Sequence, residues 1–207
     1  MSNYDKLHKH EALHRLKDEM EMDDLLPLKK GATRLVFGSG NTEAKILLCG
    51  EGPGRQEDLQ GLPFVGPAGK LLDKLLILAG LERKKVFITN VVHHRPPNNR
   101  DPEPNEISAY GKYLDKIIKI IDPKVIITLG RFSMAKFLPN VFISQVHGKD
   151  FKVGNFTIIP MYHPAASLRN GNILRQEQQD FLEMGKLLPE ILDPKDDKVV
   201  LEQKSLV

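Results

Sequence analysis

Residues 50–72, GEGPGRQEDLQGLPFVGPAGKLL, place three carboxylates (Glu51, Glu57, Asp58) and one aromatic ring (Phe64) among six glycines and three prolines. A backbone this bare lets a ligand come close. Three chemistries suit the pattern: a phosphate cradle, a metal site, or a pocket for a nucleobase. The phosphate cradle fails on spacing. Gly69-Lys70 is present, but Phe64 stands where a Walker loop needs its first glycine, and Leu71 replaces the hydroxyl that would hold Mg²⁺. The dinucleotide fingerprint fails too: Gly50, Gly52 and Gly54 lack the third glycine at its step, and Glu51 would repel a pyrophosphate.

The elements that must position these residues are legible as alternating patterns. Apolar runs at 45–49, 86–89, 125–129 and 157–161 read as buried strands. Helical periodicity lies between and around them, at 68–79, 105–121, 131–138 and 176–191. An N-terminal helix precedes the first strand, with Leu7, Leu13 and Leu16 as its apolar positions. Strand alternating with helix predicts a parallel sheet with helices on both faces. Ligands in such sheets bind beyond the carboxyl ends of the strands. Four segments fall there: 50–72, 90–100, 130–131 and 163–170.

Composition bounds the rest. The chain has 207 residues, 41% of them hydrophobic, which is enough for one domain with a core and excludes wholesale disorder. The expectation is a single domain over 1–192 and a polar tail over 193–207. Thirty basic against 27 acidic residues give a net charge of +3, too small an excess to announce nucleic acid by itself. Cys49 is the single cysteine, so no internal disulfide forms. The N-terminus is charged throughout, without an apolar signal region, and no run approaches the roughly 20 apolar residues of a membrane span. An intracellular, cytoplasmic protein with no membrane contact is expected.

The long motif at 50–72 resembles motif A of the family 4 uracil-DNA glycosylases. The likeness continues through ITNVVHHRPPNNRDPEPNE (88–106), VIITLGRFSMAKFL (125–138) and VHGK (146–149) to MYHPAASLRN (161–170), which is similar to motif B. It spans roughly residues 28 to 188 in the right order. Several motifs at consistent spacing are far more specific than any one. The resemblance implies a three-layer α/β/α sandwich around a central four-stranded, mainly parallel sheet. It also implies a monomer that excises uracil from DNA and leaves an abasic site.

Such an enzyme extrudes a nucleotide, holds the base and breaks a C–N bond to an anionic leaving group. By the resemblance, Glu51 positions or activates the attacking water, and His163 donates a hydrogen bond to uracil O2. Phe64 is the stacking platform. The Asn90 amide suits the O4 and N3–H edge of uracil, which cytosine presents reversed. Gly52 offers a backbone N–H to the base, and Glu57 lies near C5 and helps exclude a thymine methyl. The loop after His163 acts as a wedge: Leu168 fills the vacated stack while Ser167, Arg169 and Arg175 reach phosphates. Taken alone, each residue has a plainer reading: a solvated carboxylate, a core ring, a turn asparagine, a helix-entry loop.

The sequence departs from the family at one feature. Family 4 enzymes carry an iron–sulfur cluster on four cysteines; here those positions hold Asp23, Leu26, His94 and Tyr110. Such clusters need thiolates, so no cofactor is expected. Zinc on His93, His94 and Asp23 lacks a ligand quartet. The expectation is packing of Leu26 against Tyr110 with His94 hydrogen-bonded. Likewise His8, His10 and His14 read as a polar helical face. The basic insert that a related branch uses for covalent capture is missing after Phe64. Lys70, Lys136 and Lys149 are not obvious Schiff-base nucleophiles, so no lyase step is expected. Two rival readings remain: a DNA-binding relative without catalysis, and an enzyme whose range extends to hypoxanthine or xanthine.

Overall fold

The computed structural model describes residues 3–193, with side chains from His8 onward. The Leu7 side chain and the predicted tail beyond Asp193 lie outside the described residues. The helices are α1 (Asn3–Met22), α2 (Arg55–Gln60), α3 (Pro67–Leu78), α4 (Pro104–Ile121), α5 (Arg131–Phe137), α6 (Ile143–Val146), α7 (Pro164–Ser167) and α8 (Gly171–Leu192). The strands are β1 (Ser39–Gly40), β2 (Ile46–Gly50), β3 (Phe87–Asn90), β4 (Val125–Leu129), β5 (Phe151–Val153) and β6 (Phe156–Met161).

The four predicted strands form the parallel centre of one sheet, and two short edge strands raise its total from the expected four to six. The order is β1-β3-β2-β4-β6-β5. β1 and β5 pair antiparallel with their neighbours. They span two and three residues, too short to show a period. Both cap what would otherwise be open edges of the parallel core.

Side chains alternate between two faces. Leu47 and Cys49 of β2 pack with Leu13, Leu16 and Met20 of α1 and with Tyr110, Leu114 and Ile117 of α4. Ile46 and Leu48 pack with Leu72 and Leu76 of α3 and Phe181 and Met184 of α8. Helices thus cover both faces, giving the three-layer arrangement. α4 starts where its sequence directs. Pro104 is its first residue, Glu103 and Glu106 form a reciprocal capping box, and Asp122 ends it in the left-handed conformation before Pro123. The parallel strands all end at one edge, where the catalytic candidates are delivered. Among the described residues, no helix is long and apolar enough to cross a membrane.

Candidate active site

Four loops meet at that edge around a cavity of about 480 Å³, within the usual range for a small-ligand site. Glu51 and Gly52 follow β2, Asn90 ends β3, Gly130 and Arg131 follow β4, and Tyr162 and His163 follow β6; all line it. Phe64, Glu57 and Arg169 join them.

The bare backbone of the first loop has a steric cause. A Cβ at position 50 would lie 2.4 Å from Asn90 Oδ1 and 2.7 Å from the Phe64 ring. One at position 69 would lie 1.9 Å from the Phe64 carbonyl oxygen. Gly50 and Gly69 therefore let Phe64 and Asn90 close on the same space. Phe64 itself sits at φ 53°, a conformation a bulky residue rarely adopts. Glu57 Oε1 holds that turn by accepting the N–H groups of Val65 (2.9 Å) and Gly66 (2.7 Å). Asp58, the third carboxylate of the motif, faces away and accepts the Thr33 N–H and hydroxyl instead. The Phe64 ring is buried, tilted 30° to the His163 ring with centroids 5.8 Å apart. It packs with the α3/α8 core on one side and lines the cavity on the other.

Asn90 is 1% exposed and its Oδ1 has no hydrogen-bond partner. A buried acceptor left unpaired costs about 1–3 kcal/mol, a cost that a ligand donor in the cavity would offset. The Ala165 N–H donates to His163 Nδ1 at 3.1 Å. The proton of the neutral ring is therefore on Nε2, the remaining donor. Burial pulls the His163 pKa down to about 4, so the ring is neutral at physiological pH. Burial, then the nearby Asp101 carboxylate, pushes Glu51 up to about 7, while Arg131 pulls the other way. Asp101 and Arg131 are themselves ion-paired. Arg100 forks onto Glu106 (2.8 and 2.6 Å) and also donates to the Asp101 carbonyl, tying this loop to the start of α4.

The loop after His163 carries the residues that the resemblance assigns to a wedge. Leu168 is 53% exposed, and Arg169 lines the cavity. Ser167 is not available as a phosphate ligand through its hydroxyl: it is 2% exposed and donates to Glu177 of α8. Arg175 lies one turn into α8, bonded to Asn172, and is not among the residues lining the cavity. Glu177 is fully buried, its other oxygen Oε1 unpartnered, and burial lifts its pKa to about 7. A helix over 176–191 is expected from sequence, without a role for Glu177. Its spacing to Phe181, Met184 and Leu188 puts it on the buried face of the helix, and that signal was there to be read. Arg131 lies in the 130–131 segment expected at this edge, whereas Asp101 and Tyr162, each one residue outside the expected segments 90–100 and 163–170, are wall residues without a sequence signal.

The four positions that would hold an iron–sulfur cluster do not fit one. Tyr110 is fully buried and its hydroxyl lies 2.8 Å from His94 Nδ1. Leu26 is buried in the same apolar cluster. Asp23 accepts from Lys112 (2.9 Å) and the Tyr113 hydroxyl (2.7 Å), and these bonds hold its carboxylate down at about 2. Cys49 is buried in β2, its thiol pushed by burial to about 12. Among the described residues, no three His, Cys, Asp or Glu side chains gather as metal ligands.

The profile of the Uracil DNA glycosylase superfamily matches residues 37–184. A type-4 uracil-DNA glycosylase of Archaeoglobus fulgidus is 46% identical over 170 residues, covering 77% of this chain and 85% of the relative. One of Sulfurisphaera tokodaii is 43% identical over 187 residues, 86% of this chain and 85% of the relative. A type-5 uracil-DNA glycosylase of Thermus thermophilus is more distant, 30% identical over 172 residues, 73% of this chain and 77% of its own. The loops that build the cavity lie inside the matched span, and the chain belongs to the uracil-DNA glycosylase superfamily, in its type-4 branch.

Proposed function

We propose that this protein is a monofunctional uracil-DNA glycosylase of DNA repair, acting as a monomer on uracil-containing DNA and releasing free uracil. The observation that carries the reading is the orphaned Asn90 Oδ1, buried beside the Phe64 ring. Uracil offers N3–H to that oxygen and O4 to the amide N–H; cytosine offers the reverse at both atoms. The base leaves the helix stack, stacks on Phe64, and is closed in by the Gly52 backbone and Glu57.

Chemistry follows from two groups with opposite tuning. Glu51, with a pKa near 7, takes a proton from water as the water oxygen bonds to C1′. The C1′–N1 bond breaks and its electron pair leaves with uracil. His163, neutral with its proton on Nε2, donates a hydrogen bond to O2 of the departing anion. The uracil anion then takes up a proton, and an abasic site stays in the DNA. Leu168 and Arg169 engage the emptied duplex and its phosphates, with Arg175 a more distant phosphate contact. No step uses a metal or cluster, because the donor set at Asp23, Leu26, His94 and Tyr110 does not suit one.

The test is a panel of oligonucleotides carrying uracil, hypoxanthine, xanthine or thymine. Release of uracil with thymine untouched is expected. Binding without release of any base would instead favour a non-catalytic DNA-binding protein.

A further inference from the structure

Of the nine phenylalanines, all among the described residues, Phe142 alone is exposed, at 73%. It caps α6 at its N-terminus, and the next residue, Ile143, lines the cavity. Phenylalanine is among the residues most often fully buried, so an exposed ring whose chain neighbour lines a ligand cavity is a candidate contact for what binds there.

The segment that carries it is firmly anchored. His147, at the other end of α6, bonds to Asp180 of α8 through Nδ1 at 2.7 Å and packs its ring 4.5 Å from that of Tyr162, a wall residue. The Gly148 N–H donates to the Pro160 carbonyl of β6 at 2.8 Å. At φ 72° and with Asp180 Oδ1 2.5 Å from where a Cβ would sit, position 148 requires glycine for this close approach. The VHGK motif, otherwise without a role, thus ties α6 to the sheet and to α8 while the Phe142 ring stays in solvent. Arg131 and Arg169 line the same cavity. Phe142 precedes a wall residue of a cavity that two arginines also line, and aromatic rings together with cationic side chains are what hold an unpaired strand.

We propose that Phe142 is a second base-stacking platform, taking an unpaired base that flanks the extruded uracil in single-stranded DNA. The inference rests on the glycosylase reading above. A paired base offers its faces to its stacked neighbours, so Phe142 contributes little on duplex. Leu168 has the reverse bias, because only a duplex leaves a gap to fill. The two exposed side chains therefore divide the two substrate forms between them.

The experiment measures affinity by fluorescence anisotropy and single-turnover uracil release. It compares wild type with Phe142→Ala, Phe142→Tyr and Phe142→Leu on one uracil oligonucleotide, single-stranded and in duplex. Phe142→Ala is expected to weaken single-strand affinity by roughly 5- to 150-fold, the range of one base–aromatic stack. Duplex affinity, saturating rate and melting temperature should stay at the wild-type level. Tyrosine should restore binding and leucine should not. Unchanged single-strand affinity in Phe142→Ala, an equal loss on duplex, or full rescue by leucine would each overturn the proposal. A wild-type protein that releases no uracil would defeat the functional reading; the anisotropy series would still decide this one.

Discussion

Removing the Tyr110 hydroxyl tests how the region between α1 and α4 holds together at the positions where the family resemblance implies a cluster. Tyr110 is fully buried, and its hydroxyl and His94 Nδ1 are mutual partners at 2.8 Å. Phenylalanine keeps the ring, so no cavity opens, but it strands a buried imidazole nitrogen. An unpaired buried group costs about 1–3 kcal/mol. For a protein of this size each kcal/mol lowers the melting midpoint by about 2–4 °C, so Tyr110→Phe should lose roughly 2–12 °C. Tyr110→Ala also removes a ring that packs against the two histidines and shares an apolar cluster with Leu26. Aromatic-to-alanine changes in cores cost about 3–5 kcal/mol, so its loss should be larger. The assay is thermal unfolding of parent and variants, each with and without a chelator, beside elemental analysis. The parent should be colourless and its midpoint indifferent to chelator. A Tyr110→Phe variant as stable as the parent would refute the hydrogen-bond account. Stoichiometric iron or zinc whose removal lowers the midpoint would refute the metal-free account altogether.

Further expectations concern the site. Glu51 acts ionised and its pKa is raised to about 7, so the single-turnover rate should climb as pH rises through about 7 and level off above it. Asp101→Asn removes a charge that raises this pKa and should move the midpoint to lower pH; Arg131→Ala should move it higher, and an immobile midpoint would detach Glu51 from the profile. Glu177→Gln keeps a partner for Ser167, whereas Glu177→Ala does not. The alanine variant should lose duplex excision through a misplaced wedge loop and the glutamine variant should largely retain it, as excision kinetics on duplex would show. Leu168→Ala should harm excision from duplex more than from single strands. Arg169→Ala should reduce the salt slope of binding by about one unit per lost phosphate contact.

The sequence disclosed the parts of this fold that repeat. Ile46 to Cys49 and Val125 to Leu129 are apolar runs too short for helices, and both are central strands. β5 left no period to detect, yet the Gly154-Asn155 pair that turns β5 into β6 is a hairpin signal that went unread. That Glu51, Asn90 and His163 share one cavity was legible because topology fixes where strand ends go; the roles expected of them rest on the family resemblance. Ser167 was misplaced because burial of one hydroxyl depends on Glu177, ten residues on, and no local pattern joins them. The Asp101–Arg131 pair is likewise a contact between loops, visible only once β3 and β4 are placed on the same side of the site.

The central claim is that a buried, unpartnered Asn90 oxygen reads the N3–H of uracil. Single-turnover base release by wild type and Asn90→Asp, from otherwise identical duplexes carrying uracil or cytosine at one position, tests it most directly. The wild type should release uracil and leave cytosine. Asn90→Asp should lose most uracil release, since a carboxylate has no donor for O4, and any new release should be of cytosine. Uracil release at the wild-type rate by Asn90→Asp would contradict the account.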